Sequence, residues 1–253
     1  MTNGTPARVA LVTGAGSGIG RACAISLAEA GYAMALVGRK LDRLEETANM
    51  IGATAETLVL QADVADEAQI EAVFARAVNH YGQLDLLFNN AGTSAPKAAI
   101  DMVDLRHFNR VLATNVTGAF LCARAAFRQM KTQDPQGGRI INNGSVSAHV
   151  PRPNGAPYTI SKHAITGLTR QISLDGRPYN IACGQIDIGN AATGVADNLN
   201  AGMLQPDGRT SPEPVMPLAS VAEAVRCMAG LPLDSNIQFM TIMATQMPFI
   251  GRG

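Results

Sequence analysis

Short runs of apolar residues alternate along the chain with stretches in which apolar side chains recur every three or four positions. Val9-Ala10-Leu11-Val12 is apolar throughout and predicts a buried strand; a glycine-rich turn then leads into a helix ending near Ala30-Gly31. Gly31 suits the left-handed position that commonly closes a helix. Ala33 to Val37 predicts a second strand, Leu41, Leu44 and Ala48 the helix after it, and Leu58 to Leu60 a third strand. The next helix starts at Asp66 with Gln69 three residues on, close to a capping box. It carries Ile70, Val73, Phe74 and Ala77 at helical spacing. Leu84 to Phe88 predicts strand four. A long helix follows from about Asp104 to Met130, with Phe108, Leu112, Val116 and Phe120 along one side. Arg139-Ile140-Ile141 predicts strand five, Tyr158 to Leu174 a helix, and Tyr179 to Cys183 strand six. Ser220-Val221-Ala222-Glu223 reads as a capping box opening a last helix, and Gln238 to Met243 as the last strand.

Strands that are apolar throughout, separated by helices, imply an α/β fold with a parallel sheet covered on both faces. No linker or internal repeat interrupts the pattern, so residues 1–253 read as one domain. The least regular segment is 190–217, rich in Gly, Pro and Asn. Long irregular segments inside compact folds are usually lids or binding loops; the alternative is an ordinary surface loop. Val195, Leu199 and Met203, four apart, predict one short apolar helical stripe within it.

Charge changes the picture by exclusion. Twenty Lys+Arg balance twenty Asp+Glu, and a chain without basic excess is a poor partner for nucleic acid. The four cysteines are scattered among small or apolar residues, and the four histidines show no ligand spacing. The expectation is reduced, mostly buried thiols and no metal. Met1 to Pro6 lacks the basic and apolar regions of a signal peptide, and no apolar run approaches the roughly 18 residues a bilayer requires. These features predict a cytoplasmic protein with no membrane partner.

Thr13-Gly14-Ala15-Gly16-Ser17-Gly18-Ile19-Gly20 lies between the first strand and the first helix. Glycines there let the backbone approach a pyrophosphate, whose charge is stabilised by the helix N-terminus. The spacing is TGxxxGxG rather than GxGxxG. An acid ending strand two would accept hydrogen bonds from the ribose hydroxyls of NAD, but the strand ends Val37-Gly38-Arg39-Lys40. A guanidinium binds a 2′-phosphate through charge-assisted bonds. The expected cofactor is therefore NADP, with NAD as the alternative.

Tyr158 and Lys162, four apart, are neighbours on one helical face. An ammonium beside a phenol favours the phenolate, which makes the pair a candidate acid/base. Ser145 lies just past strand five, at the sheet end where ligands bind in such folds. Its hydroxyl can donate to a carbonyl on which charge develops. Asn115 falls midway in the long helix, where asparagine is a poor former; either a function or a bent backbone accounts for it.

TGAGSGIG at 13–20, Asn89-Asn90-Ala91-Gly92, Asn115, Ser145 and the YxxxK pair together resemble the short-chain dehydrogenase/reductase family, over Arg8 to about Thr193. The resemblance implies a Rossmann-type, doubly wound sheet of about seven parallel strands and NAD(P)-dependent hydride transfer. It implies Tyr158 as proton donor or acceptor and Lys162 binding the nicotinamide ribose and favouring the phenolate of Tyr158. Ser145 would orient the carbonyl, and Asn115 would hold a relay water. Gly14, Ser17, Gly18, Ile19 and Gly20 would take the pyrophosphate, Arg39 the 2′-phosphate, and Asp63 and Val64 the adenine. Asn90 and Ala91 would line the ribose, and Gly189 and Thr193 keep the family's positions after strand six. Ile188-Gly189 stands where the family usually has Pro-Gly. The segment Asp175 to Tyr179 is atypical. The tail, Leu231-Pro232 followed by Ile242 to Gln246, is similar to NADP-dependent members acting on small 3-hydroxy acids.

The expected function is hydride transfer between NADP(H) and a small carbonyl or alcohol, a 3-hydroxy acid among the candidates. The alternatives are an NAD-linked dehydrogenase and a nucleotide-binding regulatory protein without turnover. His149, Arg152, Asn154, Gln185 and Asp187 flank the expected pocket. Family members assemble as homotetramers or homodimers, and apolar residues on more than one face of the 104–130 helix fit that.

Overall fold

The computed structural model describes residues 8–193 and 202–250. Seven parallel strands form one sheet: β1 Arg8–Thr13, β2 Tyr32–Gly38, β3 Thr57–Gln61, β4 Leu86–Asn89, β5 Gly138–Asn143, β6 Ile181–Ile188 and, last in the chain, β9 Phe239–Ile242. Their spatial order is β3-β2-β1-β4-β5-β6-β9. The order reverses between β1 and β4, so the loops at their C-terminal ends diverge and leave a crevice there. That crevice positions everything described below.

The helices are α1 Gly18–Glu29, α2 Leu41–Ile51, α3 Glu67–Tyr81, α4 Leu105–Leu112, α5 Ala119–Thr132, α6 Ala156–Asp175 and α7 Leu218–Gly230. Alternation along each strand sorts the core into two layers. Ala10 and Val12 of β1 pack with Cys23, Leu27, Leu44 and Val225 on one face. Val9 and Leu11 pack with Val73, Phe74, Cys122 and Met130 on the other. A parallel sheet buried on both faces needs apolar side chains at consecutive positions, which is why these strands read as unbroken runs. Among the described residues no helix is long and apolar enough to cross a membrane.

Local signals mostly act as expected. Gly31 has φ +87° just after α1, and the Asp66 side chain accepts from the Gln69 amide at 3.1 Å. The Gln69 side chain returns to the cap through its Nε2, which donates to Asp66 Oδ2 at 2.9 Å, while its oxygen accepts from Asp63 N at 2.9 Å rather than from the cap amide.

Four expectations are corrected. The single helix predicted over 104–130 is α4 and α5 joined by a π-helical turn, Ala113–Gly118, which holds Asn115. The helix is apolar on two faces, and burial goes to the smaller one: Val111, Ala119, Cys122, Ala123 and Ala126 are buried, while Phe120 is exposed. Small side chains let a helix approach sheet and neighbours closely. Second, the capping box at Ser220 does not form. Pro217 occupies the N-cap position with no side-chain bond, so Ser220 is already inside α7. Third, β6 does not end at Cys183 but runs to Ile188, which pairs with Ile242 of β9. Fourth, the 190–217 segment carries a small antiparallel hairpin, β7 Met203–Leu204 with β8 Thr210–Ser211, so Met203 is a strand residue rather than part of a helical stripe. Val195 and Leu199 lie outside the described residues.

Candidate active site

The turn after β1 is held from below by Thr13. Its buried hydroxyl oxygen accepts from the amides of Asn90 and Ala91, both at 2.9 Å. The Asn90 side chain donates back to Thr13 O at 2.9 Å and accepts from Asn143 Nδ2 at 2.8 Å. Asn143 O in turn accepts from Lys162 Nζ at 2.7 Å. One continuous set of hydrogen bonds thus runs from the glycine turn, across β4 and β5, to α6.

Two glycines in the turn are required by space. Gly14 has φ +66°, and a Cβ on Gly20 would lie 2.2 Å from Gly14 O. The turn delivers the chain to α1, whose N-cap Ser17 makes no side-chain bond and whose first turn holds no acid. Its leading amides are therefore left for an outside acceptor.

A cleft of about 770 Å³ opens over these amides. Gly14, Ser17, Gly18, Ile19, Gly20, Arg39, Asp63, Val64, Asn90, Ala91, Tyr158, Lys162 and Thr193 all line it. Arg21, Lys40, Arg43, Thr114 and Asn143 line it too, and these the sequence reading missed. The basic run Arg39-Lys40 with Arg43 was the available signal for two of them. Among the described residues five cations and one carboxylate, Asp63, line the cleft, with Glu46 behind them pairing Arg21 and Arg43. A cleft with a cationic wall over uncapped helix amides fits a ligand with several phosphates, so these residues suit a dinucleotide. Gly189 does not line the cleft; it borders a second pocket.

That second pocket, about 350 Å³, lies on the other side of Tyr158. Tyr158, Ile19, Ser94 and Thr193 border both cavities, Ser145 only the second and Lys162 only the first. Lys162 Nζ sits 5.5 Å from the centre of the Tyr158 ring. Ser145 and Lys162 are each 5% exposed. The arrangement puts a phenol between a nucleotide-sized cleft and a small pocket, with an ammonium on one side and a serine hydroxyl on the other.

Asn115 touches neither cavity. Its side chain bonds both ways to the Thr93 backbone, at 2.7 and 2.9 Å, and donates to Ser161 Oγ at 3.0 Å. Ser161 donates to Tyr158 O at 2.7 Å. The π turn therefore spends its asparagine on holding the strand-four loop and the α6 turn that carries the phenol.

Behind Ser145 stands a carboxylate, 1% exposed. Asp187 accepts from Ser145 N at 2.9 Å and Gln185 Nε2 at 2.7 Å, and pairs with His149 Nε2 at 2.8 Å. Three partners make a buried charge tolerable. Gln185, Asp187 and His149 were expected to flank the pocket; none of them lines it, whereas Arg152 and Asn154 do. The reason is the length of β6: residues 185 and 187 share one face of a strand and point into the layer beneath.

The short chain dehydrogenase family matches residues 8–204. The uncharacterized oxidoreductase YgfF of Escherichia coli K12 is 40% identical over 171 residues, covering 66% of this chain and 69% of that protein. The cis-4-hydroxycyclohexanecarboxylate dehydrogenase of Sinomonas cyclohexanicum is 33% identical over 232 residues, 90% of each. Among solved structures, the 3-ketoacyl-(acyl-carrier-protein) reductase of Brucella melitensis, complexed with NADH, superposes with a TM-score of 0.83 at 27% identity, covering 94% of this chain and 98% of that one. With its doubly wound sheet and this match over most of its length, the chain belongs to the short-chain dehydrogenase family of oxidoreductases.

Proposed function

We propose that this chain transfers hydride between NADP(H) and a small carbonyl or alcohol substrate, with Tyr158 as the proton donor or acceptor. The observation that carries the reading is the position of Tyr158, shared by the cleft and the pocket. NADP(H), when bound, supplies or accepts the hydride at the nicotinamide. The rest falls to the chain. Ser145 donates to the substrate oxygen as charge develops there. Tyr158 gives that oxygen its proton, or removes it in the reverse direction. Lys162, held by Asn143 O, steadies the phenolate and binds the ribose. Asn115 keeps the Tyr158 turn in register through Ser161.

Arg39 and the lack of an acid at the end of β2 support NADP over NAD. The name of the Sinomonas relative, a hydroxycyclohexanecarboxylate dehydrogenase, supports a small substrate. We also infer a cytoplasmic homotetramer or homodimer assembled through α4, α5 and α6, where Leu105, Phe120 and Ile160 are exposed.

The test follows absorbance of the reduced nicotinamide with a panel of carbonyl compounds, for wild type and Tyr158→Phe. Removing the phenolic proton should lower kcat/KM by about 10²–10⁴ while NADPH still binds. Tight binding of NADPH with no turnover of any compound by wild type would favour a regulatory protein instead.

A further inference from the structure

The pocket beside Ser145 has an uneven wall. Ile19, Val146, Pro153, Ile188 and Met203 give it apolar surface, and its cations are Lys97 and Arg152; no Asp or Glu lines it among the described residues. The Lys97 ammonium lies 3.4 Å from the sulfur of Met203. Arg152 is held more firmly. Its Nη2 donates to Asn190 Oδ1 at 2.9 Å and to Glu213 Oε2 at 2.7 Å. Glu213 is buried behind the wall, where it also accepts from Asn190 Nδ2 at 2.8 Å and Gln205 Nε2 at 3.0 Å.

A buried ion pair contributes little net stability, because desolvation offsets most of the attraction. Three segments of chain nevertheless converge to fix this one guanidinium at a cavity wall. An arginine so held meets a ligand with little further loss of side-chain freedom, and its planar fork matches a carboxylate. Among the described residues Lys97 and Arg152 are the charged side chains that line the pocket, so an anion there meets two cationic donors.

We propose that this pocket takes an oxo acid or its hydroxy acid, with Arg152 and Lys97 reading the carboxylate while the reacting oxygen lies at Ser145 and Tyr158. This rests on the hydride-transfer reading above. It adds to that reading a substrate class and two residues that select it.

The experiment uses the full chain with 4-oxocyclohexanecarboxylate and levulinate, each paired with its methyl ester. Two readouts are taken: kcat/KM with NADPH, and binding to the NADP-saturated protein by calorimetry. Charge-assisted hydrogen bonds should make wild type favour the acids by about ten- to a hundredfold in both. Lys97→Gln, an exposed substitution, should cut the acid-to-ester ratio several-fold. Arg152→Met combined with Glu213→Gln removes both charges without stranding a buried carboxylate, and should bring the ratio close to one. Esters handled as well as acids by wild type would overturn the proposal, as would a ratio unmoved in both variants. Acids that bind selectively but are not reduced would uphold the anion site and sink the redox reading alone.

Discussion

The two cavities that meet at Tyr158 are built in opposite ways. The cleft over the glycine turn has a backbone floor of glycine-turn amides, the α1 N-terminus and strand ends, fastened by Thr13 and Asn90. The pocket beside Ser145 is made of side chains from 94–97, 145–159, 188–193 and Met203, cross-linked by Arg152, Asn190 and Glu213. A backbone cradle constrains its residues to glycines and small polar groups at fixed spacing, whatever the substrate. A side-chain pocket can be rebuilt one loop at a time without disturbing the cradle.

The sharpest way to break that contrast is at Asp187, which serves only the pocket side. Asp187→Ala strands the buried Ser145 N, takes one of the two acceptors of Gln185 Nε2, which keeps Thr166 Oγ1 at 3.1 Å, and leaves the half-exposed His149 to water. Stability should fall by roughly 1–3 kcal/mol for each buried donor left unpaired, and kcat with it, while NADP still binds. Denaturant unfolding and a nucleotide titration check this; equal damage to NADP affinity would show that the two sides are not separable. Arg39→Ala probes the other side. Losing one charge-assisted contact should weaken NADP by about ten- to a hundredfold and leave NAD affinity and substrate KM where they were. If NADP affinity does not move, the assignment of Arg39 fails. The smallest effect is chemical. Burial pushes the Cys23 and Cys122 thiols up to about 12 and raises that of Cys183 as well, so their thiolates are scarce at neutral pH. Cys227 is exposed. A thiol reagent at pH 7.5 should therefore label Cys227 quickly and the other three only on unfolding, with or without NADP.

The same contrast explains what was legible in the sequence. Most strands were plain because burial on both faces favours unbroken apolar runs, and the cleft was plain because its glycines answer to geometry that varies little. Asp187 was misread because an acid near the end of an apolar run looks like loop; only pairing with β9 reveals that the strand continues beneath it. The long helix was misread for a related reason. A π turn leaves no mark on apolar periodicity except an awkward Asn115, and two apolar faces do not say which is inside. Lys97 carried no signal at all, since a lone exposed cation becomes part of a cavity only when distant loops converge on it.

The hydrogen-bonded path from Thr13 through Asn90 and Asn143 to Lys162 has a consequence for how the molecule responds to damage. It ties the glycine turn to the amine beside the phenol by a handful of short, directional links. Distortions at either end should therefore be felt at the other. Lesions in the glycine turn ought to mimic loss of the amine, and the two groups of variants should sort together in any screen for lost turnover.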